Sequence, residues 1–195
     1  MNSGGWQMRR YAIASMVAVV ALAACETTTT PMRTGPDGRP VPVVYRISDS
    51  DAPRVQTRMR DGINTLRQQN GLQPVELNAQ LTSAAATHAS DMSFQSRPWH
   101  WGSDGSSPMQ RTRRAGYSGV FVGEMVSETF ETETETLNAW MQERETRSVV
   151  LDPRARDLGV AWHQDDNGKL WWAVVMGAPG LDTPVPVPDL ELAAN

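Results

Sequence analysis

Residues 158–176 read LGVAWHQDDNGKLWWAVVM, and this stretch decides the fold. Leu158, Val160 and Trp162 recur with period two, the spacing of a strand with one buried face. Asp166-Asn167-Gly168 supplies hairpin-turn chemistry, because Asn and Gly tolerate positive φ. The returning run, Leu170 to Met176, is apolar without a break, which suits a central strand covered on both faces. Such a sheet needs helices packed on it.

Those helices lie upstream. Asp51 and Pro53 are start signals for a helix whose apolar positions fall at Val55, Met59, Ile63 and Leu66, and Asn70-Gly71 stops it. A second begins near Asn78, with Leu81, Ala85, His88 and Met92 at helical spacing. Ser107-Pro108 opens a short third helix through Arg114, closed by Gly116. A fourth runs from Glu133 to Arg144 with Leu137, Trp140 and Met141 on one side. Between the last two, Gly119 to Val126 is a short β-rich run. Helices first, then a hairpin, with helices packed on the sheet, define an α+β protein.

The whole chain has 195 residues, which fits one ordinary domain with extensions. It carries 18 basic against 22 acidic residues, so no basic surface marks a nucleic-acid partner. A single cysteine excludes an internal disulfide framework and a cysteine-based zinc cluster. No Gly-rich phosphate loop is present.

Both ends read as extensions. Arg9 and Arg10 precede fourteen uncharged residues, Tyr11 to Ala24, a run too short to span a membrane but suited to a signal peptide. The run closes on Leu22-Ala23-Ala24-Cys25, which resembles the bacterial lipobox. Residues 1–24 are thus expected to be a lipoprotein signal peptide, and Cys25 the lipidated mature N-terminus, S-acylated and carrying palmitate-type chains. Several acyl chains on one residue give stable membrane anchoring. Glu26 follows Cys25, which favours the outer membrane, facing the periplasm, in a Gram-negative host. Loss of Arg9 and Arg10 leaves a charge of −6, with no sign of a basic membrane-binding patch. Residues 25–49 read as lipidated Cys plus a Thr/Pro-rich linker, 50–179 as the domain, and 180–195 as a Pro-rich disordered tail.

The order of segments inside the domain resembles a known family. Asn64-Thr65-Leu66-Arg67, Asn70-Gly71-Leu72, Thr87-His88-Ala89 and Asp91-Met92 come first. His100-Trp101-Gly102-Ser103-Asp104-Gly105, Arg114-Ala115-Gly116-Tyr117, Gly123-Glu124, Trp140 and Leu151-Asp152-Pro153 follow. Leu158-Gly159-Val160-Ala161 and Trp171-Trp172 complete the series. No one of these is specific, but the ordered series over about residues 54–178 is similar to bacterial members of the CAP superfamily: cysteine-rich secretory proteins, antigen 5 and pathogenesis-related proteins. The resemblance implies a three-layer α-β-α sandwich with a mainly antiparallel central sheet.

It also implies a binding cleft. The family's cleft is lined by two His and two Glu, and the His pair holds a divalent metal in some members. Carried over, the first His is His100, the first Glu is Glu124, and the second Glu is Glu143, three residues after Trp140. The second His falls at position 146, which here is Thr146, and Met125 replaces the usual Asn after Gly123-Glu124. A neutral hydroxyl is a poor stand-in for imidazole at zinc. No cofactor is therefore expected, and a weak His100–Glu124–Glu143 zinc site is the alternative.

Each candidate also has a structural reading. His88 on the apolar stripe of its helix reads as a core histidine bonded to backbone. Glu124 in an apolar strand needs a partner if buried, and a structural pair with His100 stands beside a binding role. Glu143, among charged neighbours, reads equally as a solvated acid. His163 precedes the hairpin turn and is expected to face water. The acid–Thr run of residues 128–136 reads as a solvated loop and helix start.

Two functions of different kind follow. One is a lipid-anchored, monomeric, non-catalytic envelope module that binds a lipid or peptidoglycan component in its cleft, held to the membrane through Cys25. The other is a hydrolase using Glu124 and Glu143 as an acid–base pair, or a metal-activated water.

Overall fold

The computed structural model describes residues 32–34, 38–42, 44–129 and 131–180. The stretch expected to be a signal peptide, Cys25 and residues 181–195 lie outside the described residues. The chain divides into two compact units, 1–43 and 44–195. Within the first, β1 (Met32–Thr34) pairs antiparallel with β2 (Pro40–Pro42), inside the stretch read as a linker.

The second unit starts with a segment that sequence reading gave to the linker. Tyr45 donates to Glu133 at 2.9 Å, and Ile47 N donates to the Gln164 amide at 3.1 Å. A single 3₁₀ turn, Asp49–Asp51, leads into α1 (Ala52–Gln69), whose first turn holds Pro53, a position where proline's missing N–H costs nothing. Val55, Met59 and Ile63 bury the predicted stripe, and Gly71 at φ 68° turns the chain past the C-cap. Arg67, fully buried, donates to the carbonyls of Gln73, Val150, Asp152 and Ala155, which ties the loop after α1 and the segment 150–155 to the end of that helix.

β3 (Glu76–Leu77) is followed by α2 (Ala79–Gln95), where the Asn78 side chain accepts from Gln80 N and Leu81 N. α3 (Pro108–Arg114) opens on a reciprocal capping box between Ser107 and Gln110. β4 (Val120–Thr129) runs past the expected end at Val126. It is an edge strand, and its polar end pairs Ser127, Glu128 and Thr129 with Trp172, Trp171 and Leu170. A second capping box, Thr132 with Glu135, starts α4 (Glu133–Gln142). The expected helix to Arg144 breaks here: Glu143 is extended (φ −87°, ψ 133°), and a separate α5 spans Arg144–Val150. β5 (Asp157–Gln164) and β6 (Leu170–Ala178) form the predicted hairpin, with Gly168 at φ 95° in the turn.

The sheet order is β3-β5-β6-β4, antiparallel except for β3 beside β5. β6 is buried along its whole length, as its unbroken apolar run predicts. Its alternate residues serve two cores. Trp172, Val174 and Met176 pack with Val55, Met59 and Ile63 of α1, Leu137 and Trp140 of α4, and Val150 of α5. Trp171, Ala173 and Val175 pack with Leu81, Ala85, Ala89 and Met92 of α2. The result is the three-layer α-β-α sandwich.

Two local devices set the layer spacing. At Gly159 a Cβ would drive into the Leu81 backbone and come within 2.6 Å of Thr82 N, so β5 lets α2 approach as only glycine permits. Tyr117 donates to Asp157 at 2.7 Å and to the Ala178 carbonyl at 3.0 Å, its ring lying where side chains at Gly119 and Gly177 would stand. Burial, then the Asp157 carboxylate, pushes that phenol up from its ordinary value.

Candidate functional site

Strand register aims Glu124 at the α2 layer. It sits opposite Val175, which belongs to the α2-side core, while its neighbour Met125 sits opposite Val174 and faces α1. The Glu124 side chain is 2% exposed, and a buried carboxylate needs strong partners. Arg111 of α3, itself 5% exposed, supplies them. Its Nη2 donates to both Glu124 oxygens, at 2.9 and 2.8 Å. His100 Nδ1 donates to Oε1 at 3.0 Å from a half-exposed ring. The structural pair between His100 and Glu124 is therefore present, with an arginine at its centre.

The same arginine organises the loop that carries His100. Arg111 Nη1 donates to the carbonyls of His100 and Ser106, at 3.0 and 2.9 Å. His88, fully buried on α2, donates from Nε2 to the Trp99 carbonyl at 2.8 Å. A carbonyl can only accept, so Nε2 carries the proton and Nδ1 is the bare nitrogen, which has no partner. Burial lowers the His88 pKa, and the nearby Glu124 charge, 3.7 Å from Nε2, opposes this without overcoming it. His88 is thus the backbone-bonded core histidine the sequence suggested, and it also stands beside the site.

Glu143 and Thr146 occupy a different setting. Both lie at the break between α4 and α5, and Glu143 is exposed. The Thr146 hydroxyl donates to the Trp140 carbonyl and lies 3.4 Å from that of Glu143. It satisfies a main-chain acceptor left over where α4 ends. With Ser127, Glu128, Thr136 and Trp140 the two residues line a depression of about 370 Å³ beside the edge strand. Neither His100 nor Glu124 lines it.

The arrangement does not fit a zinc centre. Zinc wants three or four His, thiolate or carboxylate ligands. Among the described residues no group of three or more His, Cys, Asp or Glu is placed to hold a metal. Both Glu124 oxygens already serve Arg111, whose fixed positive charge repels a cation. Of the expected set His100, Glu124 and Glu143, the structure brings the first two together and places Glu143 in the separate depression. His163, expected to face water, is 41% exposed and lies 3.5 Å from both Asp165 and Ser90.

Sequence reading missed Arg111. The signal was weak: α3 has seven residues, three of them arginine, and nothing in that pattern tells which one turns inward.

Residues 60–176 match the cysteine-rich secretory protein family, CAP, and the chain belongs to it. The uncharacterized protein YkwD of Bacillus subtilis (strain 168) is 26% identical over 114 residues, 58% of this chain and 44% of that protein. The chain thus spans less than half the length of this curated relative. Two solved bacterial structures share the fold. An outer surface protein from Borrelia burgdorferi matches with a TM-score of 0.60 at 18% identity, over 70% of this chain and 99% of that one. An extracellular protein with an SCP domain from Bacillus anthracis str. Ames matches with 0.59 at 18%, over 71% and 46%.

Proposed function

We propose that this chain is a lipid-anchored CAP module of the bacterial cell envelope that binds a lipid or cell-wall component without catalysing a reaction on it. The observation carrying this reading is the two-pronged hydrogen bonding of Arg111 to Glu124. A general acid or base must exchange its proton with substrate. Glu124 would have to leave a buried guanidinium to do so. A depression at Glu143 and Thr146, with Trp140 and several hydroxyl-bearing residues in its wall, is open to a ligand. Placement in the envelope draws support from the lipobox-like run ending at Cys25 and from the likeness to an outer surface protein and an extracellular protein.

The test has two parts. Mass spectrometry of the protein from membranes of a lipoprotein-processing host is expected to find Cys25 acylated at the N-terminus, and Cys25→Ser is expected to move the protein to the soluble fraction. Purified peptidoglycan or lipid is expected to retain the protein, more weakly after Thr146→Trp, which fills the depression, and to emerge chemically unchanged. Release of glycan or peptide fragments that stops with Glu124→Gln or Glu143→Gln would overturn the non-catalytic reading.

A further inference from the structure

Among the described residues the large apolar side chains left most exposed are Phe94 at 84%, Trp101 at 51%, Val120 at 50% and Met109 at 45%. Three of these four fall within residues 94–114, which comprise the last residues of α2, the loop after it and α3. The same stretch holds Arg97, Arg111, Arg113 and Arg114 against one acid, Asp104. Arg111 is spent on Glu124, and the other three arginines are exposed. Charge changes sign just beyond: residues 119–143 contain six glutamates and no lysine or arginine. The net acidity of the chain therefore conceals a segregated cationic, aromatic region.

Hydrogen bonds tie the loop of this region to both helices. Gln95 donates to the Trp101 carbonyl at 3.2 Å and accepts from the Trp99 indole at 2.9 Å. Arg97 lies 4.0 Å over the Trp99 ring. Ser103 N donates to Asp91 of α2 at 2.7 Å, and Arg114 of α3 pairs with Asp104 of the loop at 2.8 Å. Arg111 fastens the loop from beneath through two of its carbonyls. Trp101 is consequently presented on a held loop, which lowers the entropy lost on docking.

Exposed Phe, Trp and Met interspersed with arginine is the chemistry of a membrane–water interface. Indole rings settle at headgroup depth, and each cation near an anionic leaflet adds attraction. We propose that Phe94, Trp101 and Met109, with Arg97, Arg113 and Arg114, form a docking face for an anionic phospholipid surface. The face is independent of the lipid on Cys25, and the exposed acids Glu131, Glu135 and Glu143 would be repelled by the same surface.

The compact unit 44–195, which holds both cores and no lipidation site, is floated with vesicles of phosphatidylethanolamine and phosphatidylglycerol, and with phosphatidylcholine alone. Binding is expected to the anionic vesicles, to weaken as salt is raised, and to fall at least about tenfold in the double variant Phe94→Ser/Trp101→Ser. Arg113→Glu is expected to weaken it severalfold while leaving the urea midpoint unchanged, since that side chain is exposed. Absence of binding, equal binding to phosphatidylcholine, or binding insensitive to the double variant would overturn the proposal. A concentration-dependent dimer that the double variant dissolves, without vesicle binding, would reassign the face to a contact between copies.

Discussion

At the scale of single residues, the site turns on whether Glu124 is a reagent or a partner. A carboxylate at 2% side-chain exposure with a facing guanidinium at 5% is a buried ion pair, and removing one member leaves the other as an uncompensated charge. Arg111→Met is therefore expected to cost about 3–5 kcal/mol of unfolding free energy in urea titrations. Adding Glu124→Gln to it should recover a large part of that loss, because the unpaired charge is gone. An Arg111→Met protein within about 1 kcal/mol of the parent would mean that Glu124 is solvated and free to react. The contact between His100 and Glu124 was legible beforehand, because an acid in an apolar strand requires a partner and a polar loop offered one. The arginine was not legible, since its partner lies thirteen residues away across a loop whose path no local pattern encodes.

At the scale of elements, punctuation carried most of the information. Asn78 and Ser107 were readable as caps because their side chains replace missing helix acceptors, and each does so. The break between α4 and α5 was not readable: no Gly or Pro marks it, and the Thr146 hydroxyl that serves the end of α4 is six residues from its acceptor. β3 was missed for a similar reason, since a two-residue strand has no periodicity to detect. Gly159 was legible only as part of a family motif, whereas the structure gives its cause, the approach of the α2 backbone to β5. Gly159→Ala is accordingly expected to destabilise the protein by about 1–3 kcal/mol, the range for overpacking a core. Thermal or urea unfolding measures this. A neutral outcome would show that α2 can slide away from β5, and the spacing of the α2 layer would then not depend on that glycine.

At the scale of the whole molecule, buried ionisable groups on both faces of the sheet make stability fall on acidification. His88 is fully buried and its pKa is lowered, first by burial. The unfolded chain takes up a proton there below its ordinary value of 6.5, and the folded chain does not, so stability falls as pH drops through that value. Glu133 on the α1 side adds a second stage. Burial pushes its carboxyl up, but the bonds from Arg58, its own backbone and Tyr45 outweigh this and leave it below 4.5. Its contribution is intact above the unfolded value and is lost as pH falls through the folded one. Asp165, held by Ser93 and Trp171 against the same burial penalty, behaves alike below 3.8. Unfolding free energies from urea titrations should therefore decline in two stages on acidification, the first setting in as pH falls through 6.5, with a slope of at most about 1.4 kcal/mol per pH unit from one proton. His88→Gln keeps an amide donor for the Trp99 carbonyl but cannot titrate, so it should remove the first step and leave the second. Retention of the first step in that variant would show that the buried imidazole behind Glu124 is not the group whose protonation weakens the fold.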